Sequence, residues 1–225
     1  MKIARSGKEL LEICAAEQIS LSEYAIRQEM ELKNVSREDL FAQMKITLDA
    51  MKESATAGRE KKVYSLSGLI GGDAYRLQQY CNTGNSLMGN GIVMAMAMAI
   101  SSSEVNGAMA SGAVVELMGG TPKMSLDAAA IIFKNVLGLV CDPVASLVEI
   151  PCAKRNVSGA INALCTADMV MAGVNSKIPF DDAVAAMYKV GTGLPEELRE
   201  TALGGCAITP TGKALQEKVF GKKEN

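Results

Sequence analysis

Three observations predict an all-α fold. The 225-residue chain is 48% hydrophobic yet holds no Trp and only 4 Phe, so the aromatic residues that favour strands are scarce. Its 14 Met stand among Ala and Leu, residues that lose little on entering a helix. Apolar positions recur at three- and four-residue spacing, with glycines and prolines between the runs. A chain of this length can bury a substantial core. No internal repeat and no Pro- or Ser-rich linker divides it, so the pattern predicts a single helical domain over residues 1–225.

The charge pattern excludes several function classes. Net charge is −2 and the only lysine-rich piece is the tail Gly221-Lys222-Lys223-Glu224-Asn225, so no nucleic-acid partner is expected. The start, MKIARSGKELLEICAAEQ, is charged and amphipathic, without the apolar core or cleavage site of a signal peptide. The most apolar window, Met88 to Ile100, is too short to span a bilayer and reads as a buried helix. A cytoplasmic protein with no membrane partner is therefore expected, and its 6 Cys are read as thiols or metal ligands rather than disulfides. Histidine is absent, which rules out Ser-His-Asp and Cys-His catalysis and any histidine-held metal.

Each element then follows from its own signals. Arg5 to Glu17 places Leu10, Leu11 and Cys14 at helical spacing, which makes Cys14 a small core residue. A second helix starts after Ser20 or Ser22 and ends at Lys33-Asn34. A third opens on Ser36-Arg37-Glu38-Asp39, a serine with a carboxylate three residues on. It aligns Leu40, Phe41, Met44, Leu48 and Met51 in one stripe and decays around Ser54 to Gly58.

The glycine-rich run Ser65 to Asp73 leads into a helix from about Ala74 to Tyr80. Backbone amides at such a start can hold a carboxylate or phosphate, although a plain turn between helices explains the pattern as well. Its spacing fits neither the P-loop nor the dinucleotide fingerprint. A helix over Ile92 to Ile100 and a small-residue helix over Gly107 to Met118 come next. Ser125 is read as the cap of a buried helix that delivers the chain to Cys141.

Past Asn156, the run Ser158 to Ala172 reads as a helix with Cys165 in its core. Asp181 to Val190 forms another, opened by Pro179 and closed by Gly191. Pro195 with Glu196 and Glu197 suits a further helix start over Glu197 to Leu203, ended by Gly204-Gly205. Cys206 then falls in a loop before a last amphipathic helix to about Phe220.

The segment Lys134 to Asn156, KNVLGLVCDPVASLVEIPCAKRN, does not fit plain packing. Cys141 and Cys152 lie in an apolar run, each close to a proline, and Lys154-Arg155 follows. One unbroken helix would part the two thiols by about 16 Å along its axis at ~1.5 Å per residue. Pro143 and Pro151 oppose such a helix, because each lacks a backbone donor and crowds the preceding turn. A break or fold-back between the cysteines is expected, which would let the sulfurs converge. An iron–sulfur centre takes three or four thiolates, so two alone do not establish one.

The run LGLVCDPVASLVEIPCAKRN, followed by GAINAL, SKIPFDDAVAAMYKVG, LPEELRETALGG and TPTGKALQEKVFG, resembles the alpha subunit of bacterial iron–sulfur-dependent L-serine dehydratase. SLSGLIGGDAYRLQQY and SSSEVN are similar to the N-terminal half of that family. The resemblance covers most of residues 61–221, with residues 1–60 as a looser helical lead. It implies a helical domain of the serine dehydratase alpha-subunit type, a [4Fe–4S] cluster on three cysteines, and dehydration of L-serine to pyruvate and ammonia. By the motif, Cys141 and Cys152 are implied as cluster ligands. Ser67 and Gly68 in the glycine-rich loop, with Lys154 and Arg155, become candidates for gripping the substrate carboxylate, while helix capping is an equal reading of the basic pair. A separate beta subunit is implied as partner.

The chain also departs from the family pattern. There, the SEVN segment leads into a Pro-Thr-Ala-Gly-like substrate loop and later a Gly-Cys-Gln segment with the first cluster cysteine. Here SSSEVNGAM runs directly into SGAVVELMGGTP, and the ungapped position of that cysteine is Ala99. Cys81 and Cys206 are the remaining candidates for a third ligand. Two readings follow: a serine dehydratase alpha subunit, or a shortened relative that is a non-catalytic partner of a beta subunit.

Overall fold

The computed structural model describes residues 3–84 and 105–221. Among these the regular structure is helical: α1 (Gly7–Glu17), α2 (Leu21–Lys33), α3 (Arg37–Glu60), α4 (Asp73–Asn82), α5 (Val105–Leu117), α6 (Pro122–Asn135), α7 (Cys152–Met171), α8 (Phe180–Gly193) and α9 (Pro210–Phe220). Only two isolated β-bridges occur among the described residues, Tyr64 with Gly71 and Cys141 with Arg199. The all-α expectation holds. The helix expected over Ile92 to Ile100 lies outside the described residues.

The chain divides into two compact units. The first comprises Met1–Glu53, Gly107–Asn135 and Asn162–Ala186. Its centre is an apolar cluster of Val115, Ala128, Ala167 and Val170, walled by Val114, Met124, Ile131 and Met171. Ala108, Ala129 and Ile132 form another with Phe133 and Phe180, whose ring centroids lie 5.9 Å apart. Small residues let these helices approach closely, as where the Ser125 hydroxyl donates to the Gly112 carbonyl across 3.0 Å. Ile13, Cys14 and Tyr24 close the packing of α1 on α2, so Cys14 is a core residue as expected. Serine caps act where the sequence places them: Ser20 accepts the Glu23 amide, and Ser36 both accepts the Asp39 amide and donates to its carboxylate. The Asp181 carboxylate accepts the free amides of Gly7 and Lys8 at the start of α1, at 2.6 and 3.1 Å.

The second unit comprises Ser54–Asn106, Val136–Ile161 and Met187–Asn225. It is built less from helix faces than from turns. Residues 63–72 reverse tightly, with the Ser65 amide donating to Ile70 and the Gly72 amide to Val63. Gly72, at φ 67, begins α4, a conformation that costs glycine little. Helix α9, capped by Thr209, packs on the 144–146 turn.

Four local expectations are corrected. Helix α6 begins at Pro122, with the Thr121 hydroxyl accepting the Met124 amide, so Ser125 lies inside it; proline at the first position presets the helical φ. That helix also stops at Asn135, short of Cys141. Cys165 is exposed rather than in the core. The helix expected after Pro195 is a single 3-10 turn, Glu196–Leu198, because Leu198 and Glu200 pair with Cys141 instead of continuing a helix. On α3, Leu40 is buried while Phe41, Met44, Leu48 and Met51 are exposed, so the stripe is present without a full cover among the described residues.

Candidate functional site: the cysteine turn and the glycine-rich loop

The segment between the two cysteines folds back, as the prolines require. After Cys141 and Asp142, Pro143 enters a 3-10 turn over Val144–Ser146 in which Ala145 and Ser146 take positive φ. The Val144 amide donates to the Ile150 carbonyl at 2.8 Å and closes the reversal. A cis peptide joins Ile150 to Pro151, and α7 starts at Cys152. Cys141 therefore stands at one end of a closed loop and Cys152 at the other, with both thiol residues half-buried.

Charged groups brace this turn. Asp142 is 2% exposed, and its Oδ1 accepts from Arg155 Nη1 at 2.8 Å. Arg155 Nη1 also donates to the Val140 carbonyl at 2.9 Å, so one guanidinium nitrogen binds the residues on either side of Cys141. Asp142 Oδ2 accepts the Cys206 amide at 2.5 Å. Burial pushes the Asp142 carboxyl up, but the Cys206 hydrogen bonds and the Arg155 guanidinium outweigh it and hold it below the usual carboxylate range. The same carboxylate raises the Cys206 thiol above its ordinary value. The backbone of Cys141 is tied from its other edge: its amide donates to Leu198 at 2.9 Å and its carbonyl accepts from Glu200 at 2.8 Å.

Lys154 and Arg155 lie in the first turn of α7, where the helix dipole disfavours cations. Each has a carboxylate to offset this. Lys154 Nζ donates to Asp73 Oδ2 at 2.6 Å, and Arg155 pairs with Asp142. Arg76 also donates to Asp73. Burial pushes the Asp73 carboxyl up, while the hydrogen bonds and charges of Lys154 and Arg76 bring it below its usual range.

The glycine-rich loop lies beside this turn. The Ser65 hydroxyl donates to Glu149 Oε2 at 2.9 Å, and the Ser67 hydroxyl donates to the same oxygen. Gly68 sits at φ 71 with open space around it. A cavity of about 440 Å³ is lined by Tyr64, Ser65, Gly72, Asp73, Glu149 and Ala153, among others. Of the residues expected to grip a substrate, the structure brings Ser67 to Glu149, Lys154 to Asp73 and Arg155 to Asp142. All belong to the second unit, as do Cys141 and Cys152.

Sequence reasoning passed over Asp142, Glu149 and Asp73. For Asp142 a signal existed: it is the only charged residue between Lys134 and Glu149, and a charge in so apolar a run needs a buried partner.

The donor set for a cluster can be tested on these positions. Among the described residues no group of three His, Cys, Asp or Glu side chains is placed to hold a metal ion. All six cysteines are described, with Cys14 and Cys165 in the first unit and Cys81 and Cys206 in the second. The turn thus offers two thiols, one short of the three-cysteine cage implied by the resemblance.

A family model described as serine dehydratase alpha chain matches residues 16–109 and 106–207, two segments that meet at the start of α5. The chain is 39% identical to a probable L-serine dehydratase alpha chain of Bacillus subtilis, covering 96% of this chain and 95% of that protein. That alignment runs over 287 positions against the 225 residues present here. An L-serine dehydratase alpha chain of Peptoniphilus asaccharolyticus is 31% identical over 94% of this chain and 96% of its own length. A probable alpha chain of Latilactobacillus sakei is 56% identical over about half of each chain, 51% and 55%. With a family model and two near-full-length relatives in agreement, this chain belongs to the serine dehydratase alpha chain family.

Proposed function

We propose that the chain is the alpha subunit of an L-serine dehydratase, a carbon–nitrogen lyase that converts L-serine to pyruvate and ammonia in the cytoplasm together with a beta subunit. One observation carries this reading: the family match extends through the cysteine turn, where the chain closes a loop with Cys141 and Cys152 at its two ends. The net reaction removes the α-proton and the β-hydroxyl of serine, and the resulting enamine tautomerises and hydrolyses in water. The cofactor that belongs to this reading is a [4Fe–4S] cluster with Cys141 and Cys152 as two of its ligands. Ser67, Gly68, Lys154 and Arg155 border the substrate region, the two cations acting through Asp73 and Asp142 as helix-start braces as well. In this reading residues 1–60 are a helical lead to the family-like body, residues 61–221. No helix among the described residues is long and apolar enough to cross a membrane.

A second reading has its own support. The alignment to the Bacillus subtilis relative is longer than this chain, and no three-ligand group forms among the described residues. Both favour a shortened subunit that lacks the substrate loop and the first cluster cysteine and serves as a non-catalytic partner of a beta subunit. Anaerobic co-expression with the beta subunit separates the two. Iron, acid-labile sulfide and pyruvate formed from serine are the expected result; a folded complex with none of the three leaves the non-catalytic reading standing.

A further inference from the structure

The Asp142 carboxylate is buried and paired with Arg155, yet a buried ion pair is a weak device for stability alone; its best-attested use is to fix register. Its partners show which register. Arg155 lies three residues after Cys152, so the two are neighbours on one turn of α7. The Arg155 guanidinium reaches Asp142 and the Val140 carbonyl, the residues flanking Cys141. Asp142 thus links the backbone at Cys141 to the helical turn that carries Cys152. Its second oxygen holds the Cys206 amide, and a side chain on Gly205 would strike that carboxylate, so the 204–208 loop is shaped around Asp142 as well.

We propose that Asp142 is the positioning residue of the Cys141–Cys152 thiol pair, setting through Arg155 the separation at which both sulfurs meet one thiophilic centre. The proposal rests on Cys141 and Cys152 acting as a ligand pair and goes beyond it by naming what holds them in place. It also assigns Cys206 to the brace, since its amide donates to Asp142.

The test uses the full chain, reduced and kept anaerobic, with phenylarsine oxide as probe. This trivalent arsenical condenses with two nearby thiols to a cyclic dithioarsinite, releasing one water. The wild-type chain is expected to capture one arsenic, and Cys141→Ser or Cys152→Ser to abolish capture. In Asp142→Asn the capture rate falls by roughly tenfold or more, since a displacement of about 1 Å is enough to penalise a reaction that needs both groups aligned. Asp142→Asn/Arg155→Gln removes both charges, leaves no unpaired ion and keeps the fold, yet captures as slowly as the single variant. Capture at the wild-type rate in either folded variant overturns the positioning role alone. A wild-type chain that captures no arsenic overturns the ligand pair and the positioning role together.

Discussion

The two units hold their shape by different means. In the first, Val115, Ala128, Ala167 and Val170 are at most 2% exposed, and the buried polar residues beside them, Ser111, Ser125 and Thr166, are small, so helix faces and small side chains account for the packing. In the second, the cysteine turn is held by Asp142, Arg155 and the backbone of residues 198–206, while Glu149 anchors the glycine-rich loop through two serine hydroxyls. Apolar packing fixes where a helix lies but tolerates a small slide. A turn proposed to hold two thiols at a set spacing needs directional bonds, and charge-assisted hydrogen bonds provide the direction.

Substitutions can break each side of this contrast in turn. The largest loss is expected from Ile132→Ala in the first unit, about 4 kcal/mol by urea denaturation, because Ile132 is 1% exposed and its removal leaves a cavity. Arsenical capture by that variant should stay at the wild-type rate; slowed capture would blur the distinction between the units. Arg155→Met leaves the Asp142 carboxylate buried and unpaired, and a stability loss of about 3 kcal/mol with slowed capture is expected. Gly205→Ala sets a methyl against Asp142 at a positive φ, costing about 2 kcal/mol and slowing capture in parallel. Ser20→Ala removes the cap of α2 and should lower stability by about 1 kcal/mol without any effect on the thiols.

The smallest effect is one of pH. Hydrogen bonds from Arg37 and Arg27 lower the Glu23 carboxyl to about 2. Since the folded value lies below the unfolded one, the stabilisation is complete above the ordinary glutamate range and is lost as pH falls through about 2. Melting temperatures of wild type and Glu23→Gln should therefore converge on acidification, and added salt should shrink the difference at neutral pH because the pair is exposed. A gap that widens towards low pH would show that Glu23 is not held by those arginines.

Much of the first unit was legible from residue order. The Ser20 and Ser36 caps, the Cys14 core position and the α8 start near Pro179 depend on neighbours within a turn or two. The errors lie where a distant segment intervened. Glu196 and Glu197 signal a helix start, yet Leu198 and Glu200 beyond them are drawn into pairing with Cys141, a residue far back in the sequence. Cys165 lies on a helix rich in small and apolar residues, and only the packed neighbours decide which face is covered. The α3 stripe has the spacing of a core face, but spacing cannot supply the surface that would cover it.

The candidate site divides in the same way. Cys141, Cys152, Ser67, Gly68, Lys154 and Arg155 were chosen from motif alone, and all fall in one unit. Their partners were not visible. Lys154 bonds Asp73 across 81 positions of sequence, and Ser67 bonds Glu149 across 82. By itself the sequence determined the helical class, the reversal between the two cysteines and the family, because composition, proline chemistry and a contiguous motif are local properties. Only the tertiary structure decided that Asp142 braces the cysteine turn and that, among the described residues, no group of three ligating side chains forms there. Those outcomes depend on which side chains meet in space, and a buried charge finds its partner only once the chain has folded around it.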